Sequence, residues 1–465
     1  MNHPTGKPIT QVYFLGIGGI GMSALARYFL SSGMKVAGYD RSSTPLTDEL
    51  RKEGMEIHFE DAIENIPSSF KASAQREQTL IVLTPAIPAQ HHELNFFREQ
   101  GYQIAKRSQV LGLITNDVKT FAVAGTHGKT TTSSILTHIL YKAERNCTAF
   151  LGGISTNYNS NLLLGDASKP NHEIVVEADE FDRSFLTLFP YAAIITSMDA
   201  DHLDIYGNAE EMQHTYRLFA GQVKAEGFIV HKSGLDLGST PAKKYTYSIR
   251  DKHADYVGAN IKVEQGRYRF DLVTPGYVIE GLTLGLPGRH NIENAVAACA
   301  IALEEGVDMV SLKEALETYS GVQRRFQYHV VKSDVVYIDD YAHHPEELRA
   351  AILSARELFP TRKITVAFQP HLFSRTRDFM DGFAESLSLA DALYLLDIYP
   401  AREEPIPGID SDLLFSKIAI DNKYRVSKEE IIQRLRTQRP EVFMTLGAGD
   451  IDQLIQPIKT LLEQA

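Results

Sequence analysis

Cysteine is nearly absent. Cys147 and Cys299 are the only two in 465 residues, too few for a disulfide framework, and this points to a reducing compartment. The opening MNHPTGKPIT has no apolar signal-peptide core, so a cytoplasmic location is expected. Long hydrophobic runs are missing too. The longest uninterrupted one, Ala295 to Leu303, falls far short of the roughly 20 residues that span a bilayer, and no membrane insertion is expected. Basic charge is in deficit: 47 Lys and Arg against 59 Asp and Glu leave a net charge of −12. Such a surface argues against general affinity for nucleic acid or anionic membrane, while a local basic patch could still hold phosphates. There is no fixed-period repeat, heptad array or low-complexity tract. Asn146-Cys147-Thr148 fits a glycosylation sequon, which carries no meaning without secretion.

What is present is an ordinary globular composition, and at about 150 residues per domain the length predicts roughly three domains. Short β-branched runs lead through Gly-rich or polar turns into helical stretches: QVYFLGIGG into MSALARYFLSSG, TFAVAG into KTTTSSILTHILY, and later VVYIDDYAHHPEELRAAILSA, KITVAFQPHLFSRTRDFMDGFAESL and VFMTLGAGDIDQLIQPIKTLL. This alternation predicts an α/β protein with parallel sheets covered by helices, and ligands beyond the carboxyl ends of the strands. Boundaries are expected near Thr115–Lys119 and Gly321–Arg325. Between about 225 and 285 short strands with little helix suggest an antiparallel edge in the middle unit.

Two glycine loops follow strands. Gly16-Ile17-Gly18-Gly19-Ile20-Gly21 reads G-x-G-x-x-G, and Asp40 ends the next strand where a ribose-binding acid would stand. Gly16, Gly18, Gly19 and Gly21 would let a diphosphate approach the helix N-terminus; the plainer alternative is a tight strand–helix turn. Gly125-Thr126-His127-Gly128-Lys129-Thr130 is a compact phosphate loop, with Val123 where a longer loop has its first Gly. Its backbone amides, with Thr131 continuing the helix, would cradle phosphates, Lys129 would neutralise β/γ charge, and Thr130 would ligate Mg2+. A triphosphate site also needs an acid for its metal. Glu177 and Asp179 end one apolar strand; Asp199, Asp201, His202 and Asp204 follow another. Each cluster alone could be a solvated loop, but two beside a phosphate loop favour metal.

GTHGKTTT, VVEADEFDRSFL, DADHLDIYG, GRHNIENAVAA, GVQRRFQ, DDYAHHPEEL, FQPHLFSRTRDF, DIYPAREEPIPGID and LGAGDI occur in this order. Together they resemble the Mur ligases of peptidoglycan synthesis, from GIGGIGMSAL at residue 16 to near the C-terminus. The His of GTHGKT is similar to the alanine-adding branch or its peptide-recycling relative. The resemblance implies three domains: a Rossmann-like UDP-sugar domain over 1–117, a central P-loop ATPase with a mixed sheet over 118–323, and a Rossmann-like amino-acid domain over 324–465. It implies UDP-N-acetylmuramate, L-alanine and ATP as substrates, with two Mg2+ ions. Lys129 and Thr130 would hold ATP phosphates and metal, Glu177 would bridge metals and His202 would ligate the second. Asn291 and Asn294, beside His290, resemble ATP contacts, and Arg325 resembles an arginine brought to the phosphates on domain closure. Tyr341, His343, His344, His371, Arg375 and Arg377 match acceptor-side motifs that orient carboxylates. Tyr216 stands where several sister ligases carry a carbamylated lysine, which fits the alanine-adding branch. Ala342 replaces a common Gly, so the local turn would be stiffer.

The implied chemistry transfers a phosphoryl group from ATP to the muramyl carboxylate, and the resulting acyl phosphate is captured by the alanine amine. Carboxylate and γ-phosphate repel, so Mg2+, Lys129 and arginines must offset their charge. His343 or a neighbouring carboxylate would take the amine proton. Two plainer readings concern the acceptor motifs: His343-His344-Pro345 could cap a helix, and Arg375 and Arg377 could be surface charges. An NAD-dependent oxidoreductase would account for GIGGIG with Asp40 but leaves GTHGKT and both acidic strand ends unexplained. A nucleotide-operated binding module and a tripeptide-attaching ligase are further alternatives, and the oligomeric state is open between monomer and homodimer.

Overall fold

A computed structural model describes residues 7–199, 203–264, 266–401 and 403–464. The chain divides into two compact units, Met1–Val257 with Val273–Val278 and Asn294–Ala315, and Gly258–Leu272 with Ile279–Glu293 and Leu316–Ala465.

The first unit holds two sheets. The first comprises β1 (Gln11–Leu15), β2 (Lys35–Tyr39), β3 (Glu56–His58), β4 (Thr79–Leu83) and β5 (Gln103–Lys106), ordered β3-β2-β1-β4-β5. Every residue of β1 is buried; Val12 and Phe14 join one apolar cluster, Tyr13 and Leu15 another. That is the pattern of a strand covered on both faces, with side chains alternating across the sheet. β1 pairs in parallel with β2 and β4, so the strand order reverses at β1, where a doubly wound sheet opens its ligand crevice. The glycine turn after β1 lies at this point.

The second sheet contains β6 (Lys119–Ala124), β7 (Cys147–Ser155), β8 (Ser160–Leu163), β9 (Glu173–Glu177), β10 (Ala192–Ile195), β11 (Phe228–Lys232) and β12 (Lys243–Ser248), ordered β12-β11-β10-β6-β9-β7-β8. β7 and β8 pair antiparallel, while β7–β9, β9–β6, β6–β10, β10–β11 and β11–β12 are parallel. The sheet is therefore mixed, with an antiparallel pair at the β8 edge, while the short strands β11 and β12 run parallel to their neighbours. β13 (Tyr256–Glu264) begins in this unit, with Tyr256 opposite Tyr247. β6 is central, which places the phosphate loop and the acidic end of β9 side by side.

The second unit holds most of β14 (Arg267–Val273) and β15 (Val278–Leu284), then a sheet of β16 (Gln327–Val331), β17 (Val336–Asp340), β18 (Ile364–Phe368), β19 (Ala392–Leu395), β20 (Lys423–Arg425) and β21 (Val442–Leu446), ordered β16-β17-β21-β18-β19-β20. β16 is antiparallel to β17; the other pairs are parallel. Tyr337 and Phe443 face one apolar cluster, Ile338 and Met444 the other. Among the described residues, no helix is long and apolar enough to cross a membrane.

Candidate active site

Gly16, Gly18, Gly19 and Gly21 carry the chain from β1 into the helix Ile20–Ser31. The Gly18 amide donates to Asp40 Oδ2 at 2.7 Å, so the acid ending β2 is engaged by the loop itself. At Gly21 a Cβ would lie 2.0 Å from Arg107 Nη1: this glycine makes room for a guanidinium. Arg107 opens the helix Arg107–Thr115, and its Nη2 donates to Asp179 Oδ2 at 3.1 Å. No local motif announces Arg107; the signal is only a basic residue at the end of a strand, β5.

The second loop joins β6 to the helix Lys129–Lys142. Gly125 has φ +132, and a Cβ there would meet Thr196 Oγ1 at 2.0 Å and the Ser197 amide nitrogen at 2.8 Å. The loop is tied to the end of β10: Thr126 Oγ1 donates to the Asp199 carbonyl at 2.8 Å, and the His127 amide to Ser197 Oγ at 2.9 Å. The His127 ring lies 3.7 Å from Asp199 Oδ2. Gly128 faces Asn294, whose Oδ1 would be 2.6 Å from a Cβ at that position. Thr130 and Thr131 are buried in the first helical turn.

Lys129 Nζ donates to the Gly125 carbonyl at 2.8 Å and to Glu180, 2.8 Å from Oε1 and 2.7 Å from Oε2. Burial disfavours its charge, but Glu180, Asp179 and Glu177 outweigh that and raise the ammonium above its usual range. Glu180 is 1% exposed; burial pushes its carboxyl up to about 7 against the pull of Lys129. The motif EADE marked this strand end as acidic, but Glu180, rather than Glu177 or Asp179, grips the lysine. Tyr206 Oη donates to the Glu180 carbonyl at 2.6 Å. Tyr216 is buried with its ring edge-on to Phe185 at 5.2 Å, and burial drives its phenol well above the ordinary range.

Glu177 ends β9, and its Oε2 is buried without a hydrogen-bond partner. Gly152 of β7 cradles it, since a Cβ there would lie 2.0 Å from that oxygen. The next segment is strained: Asp182 and Arg183 take φ of +53 and +54, and Lys106 holds Asp182 at 2.8 Å. Among the described residues, no group of three or more His, Cys, Asp or Glu could hold a metal unaided. Asp201 and His202 lie outside the described residues. The orphaned Glu177 oxygen and the Thr130 hydroxyl are hard oxygen donors that fit Mg2+, an ion that keeps waters and phosphates in its shell rather than an all-protein cage.

In the second unit, Asn291 is buried and its Nδ2 donates to the Pro287 carbonyl at 2.5 Å. Burial lowers His290 to about 4, so its ring is neutral. Arg324 and Arg325 both stack on Tyr341, each guanidinium 5.2 Å from the ring centre. Asp340 fastens this corner by accepting from the Phe326 and Ala342 amides, both at 2.7 Å; burial pushes its carboxyl up to about 6. Ala342 is fully buried, so its methyl group is part of that packing. His343 Nδ1 lies 3.0 Å from the Tyr341 carbonyl and 3.3 Å from Glu347 Oε2. His344 caps the helix Pro345–Leu358, its Nδ1 accepting from the Glu346 amide at 3.4 Å. Arg375 is buried and lies 3.4 Å from His371 Nδ1. His371 stacks on Tyr399 and lies 6.3 Å from His343. Arg377 is half exposed and pairs with its neighbour Asp378 at 2.7 Å. Tyr341, His343, His371 and Arg375 thus gather at the strand ends, while His344 turns to the helix and Arg377 to the surface.

Three family models match in succession: the Mur ligase family catalytic domain over residues 11–119, the Mur ligase middle domain over 123–302 and the Mur ligase glutamate ligase domain over 324–449. The chain belongs to the Mur ligase family. A UDP-N-acetylmuramate–L-alanine ligase of Parabacteroides distasonis is 50% identical to this Mur ligase over 459 residues, 98% of this chain and 97% of the relative. The crystal structure of a UDP-N-acetylmuramate-alanine ligase from Thermotoga maritima superposes with a TM-score of 0.81 at 28% identity, covering 98% of each chain. A murein peptide ligase from Psychrobacter arcticus shares the fold, with a TM-score of 0.71 at 22% identity, over 98% of this chain and 99% of that one. The architecture is the three-domain Mur ligase fold, with a parallel first sheet and mixed central and C-terminal sheets.

Proposed function

We propose that this Mur ligase joins L-alanine to the lactyl carboxylate of UDP-N-acetylmuramate with cleavage of ATP, a step in peptidoglycan precursor synthesis in the cytoplasm. The observation that carries this reading is the near-full-length likeness, at 50% identity, to an alanine-adding ligase, on a chain whose phosphate loop presents Lys129 beside an acidic strand end. The working division is a UDP-sugar domain over 1–117, an ATP domain over 118–323 and an amino-acid domain over 324–465.

A carboxylate oxygen is a poor leaving group, so the acid is first phosphorylated by ATP. The amine then attacks the acyl carbonyl, the new C–N bond forms, and inorganic phosphate departs with the former carboxylate oxygen. In the ATP domain, Gly125 to Thr131 cradle the phosphates and Lys129 moves from Glu180 to phosphate oxygen, where it offsets charge that builds during transfer. Asn294, which faces Gly128, would add a nucleotide contact. Thr130, Glu177 and His202 would hold Mg2+, which supplies further charge neutralisation between phosphate and carboxylate. In the UDP-sugar domain, Gly16, Gly18, Gly19 and Gly21 receive the diphosphate, with Asp40 ordering the loop. Tyr341, His343, His371 and Arg375 receive the amino acid, while His344 caps the helix and Arg377 stays with Asp378 at the surface. His343, already against Glu347, is the candidate proton acceptor for the amine. A dehydrogenase would leave the second loop and its lysine without a task.

Phosphate release with UDP-N-acetylmuramate and Mg-ATP tests the proposal. Release should require L-alanine and should not be supported by a tripeptide. Oxygen-18 placed in the lactyl carboxylate should appear in the released phosphate; its absence would overturn the acyl-phosphate route.

A further inference from the structure

The first unit contains a cleft bounded by Ile20, Gly21, Arg107, Gly152, Glu177 and Asp179, with apolar walls between. One end is the first helical turn after the glycine loop, and the other is the acidic end of β9. Of the described residues lining it, Arg107 is the one cation. Its guanidinium is stationed between the ends, Nη1 filling the space left by the missing side chain of Gly21 and Nη2 on Asp179 Oδ2 at 3.1 Å. The helix that carries Arg107 is held tightly in place, because at Gly112 a Cβ would lie 2.5 Å from the Thr187 carbonyl oxygen.

An acid entering this cleft would meet Glu177 and Asp179, two carboxylates, and be repelled unless Arg107 changes partner. The existing pair is suited to exchange: the Asp179 side chain is 37% exposed and that of Arg107 26%, and partly solvated ion pairs of this kind are weak. A guanidinium edge presents parallel N–H donors that match a carboxylate. We propose that Arg107 is a substrate-positioning residue that exchanges Asp179 for the lactyl carboxylate of UDP-N-acetylmuramate. The inference rests on the functional reading above. It assigns the cleft a direction, with the diphosphate at the glycine loop and the reacting acid at the β9 end. It also couples two events, since the arriving carboxylate releases Asp179 beside Glu177, whose Oε2 is buried and unpartnered.

The test is calorimetric binding of UDP-N-acetylmuramate and of UDP-N-acetylglucosamine, the same nucleotide sugar without the lactyl group, to the full chain and to Arg107→Gln. The parent should favour the lactyl sugar by about tenfold or more, the weight of one charge-assisted hydrogen-bonded pair. Arg107→Gln should bring the two affinities together while retaining Mg-ATP binding, and Asp179→Asn, which frees the guanidinium, should tighten the lactyl sugar alone. Should Arg107→Gln fail to bind Mg-ATP, Arg107→Lys takes its place, with a reduced preference expected because the charge remains without the fork. A variant that keeps the full preference overturns the inference, as does equal loss of both sugars, which would place Arg107 on the diphosphate. A parent that shows no preference overturns the functional reading instead.

Discussion

The two glycine loops of the first unit start from the same device, backbone amides at the head of a helix, and differ in where their charge comes from. The loop after β6 carries its own cation, and Lys129 is stored on the buried Glu180. The loop after β1 carries none; its cation arrives from Arg107, far along the chain, through the gap at Gly21. The first arrangement ties charge to backbone in one short segment, and the second supplies it from a separate helix that packing holds in place. A carboxylate is buried near each strand. Glu180 is held by a lysine, whereas Glu93, fully buried, receives the Tyr13 hydroxyl at 2.7 Å and the Ala62 amide, with the His58 ring 3.4 Å away. Burial pushes both acids up to about 7.

Breaking the self-contained loop should have the largest effect. Lys129→Ala should lower turnover by about 10³-fold or more, while calorimetry still detects UDP-sugar binding at the other loop. Gly125→Ala comes next: with φ at +132 and a backbone nitrogen 2.8 Å from the new methyl, unfolding in urea should show a loss of about 2–4 kcal/mol.

Glu93 probes the acid without a lysine. Its folded-state carboxyl, near 7 against an ordinary 4.5, holds a proton more tightly than the unfolded chain does. Stability is therefore greatest below the ordinary value and declines as pH rises through 7, by about 3 kcal/mol at most. In Glu93→Gln the fall of the urea midpoint from pH 4.5 to 8 should be shallower than in the parent, with Glu180 and Asp340 carrying the remainder, and a variant retaining the parent's full decline would exclude Glu93 as a contributor. Glu177→Gln should raise the Mg2+ concentration for half-maximal turnover by about tenfold, and an unchanged titration would reject it as a ligand. The smallest effect is Gly21→Ala, where the obstructed atom is the tip of a flexible arginine. Stability should move by less than about 0.5 kcal/mol, and only UDP-sugar affinity should fall.

The contrast between the loops also explains what could be read from the sequence. Lys129 was visible because loop, lysine and helix are contiguous, and the strand–turn–helix alternation that exposed it also announced the parallel sheets. Arg107 was not visible, because its partners Gly21 and Asp179 come together only through the packing of the helix Arg107–Thr115. The acids of EADE are alike in sequence, yet tertiary packing buries Glu180, orphans an oxygen of Glu177 and leaves Asp179 partly exposed. Arg375 and Arg377 looked equivalent too. Two residues apart on a short helix they point in different directions, one buried beside His371 and the other paired with Asp378 in solvent. For His343 and His344, neighbours in one motif, helix geometry alone decides which ring becomes the cap.

The position of β21 bears on how the chain acquires its shape during synthesis. It is the last strand to be made, yet it lies between β17 and β18. A nascent chain that has emerged only to residue 441 lacks the strand that joins these two, so the sheet of the second unit must wait for Val442–Leu446. The sheet built on β1 is complete once Lys106 has left the ribosome. Translation therefore completes the sheet built on β1 long before the sheet of the second unit, and until Met444 arrives the apolar faces of Ile338 and Phe368 lack a packing partner, a state prone to misassembly.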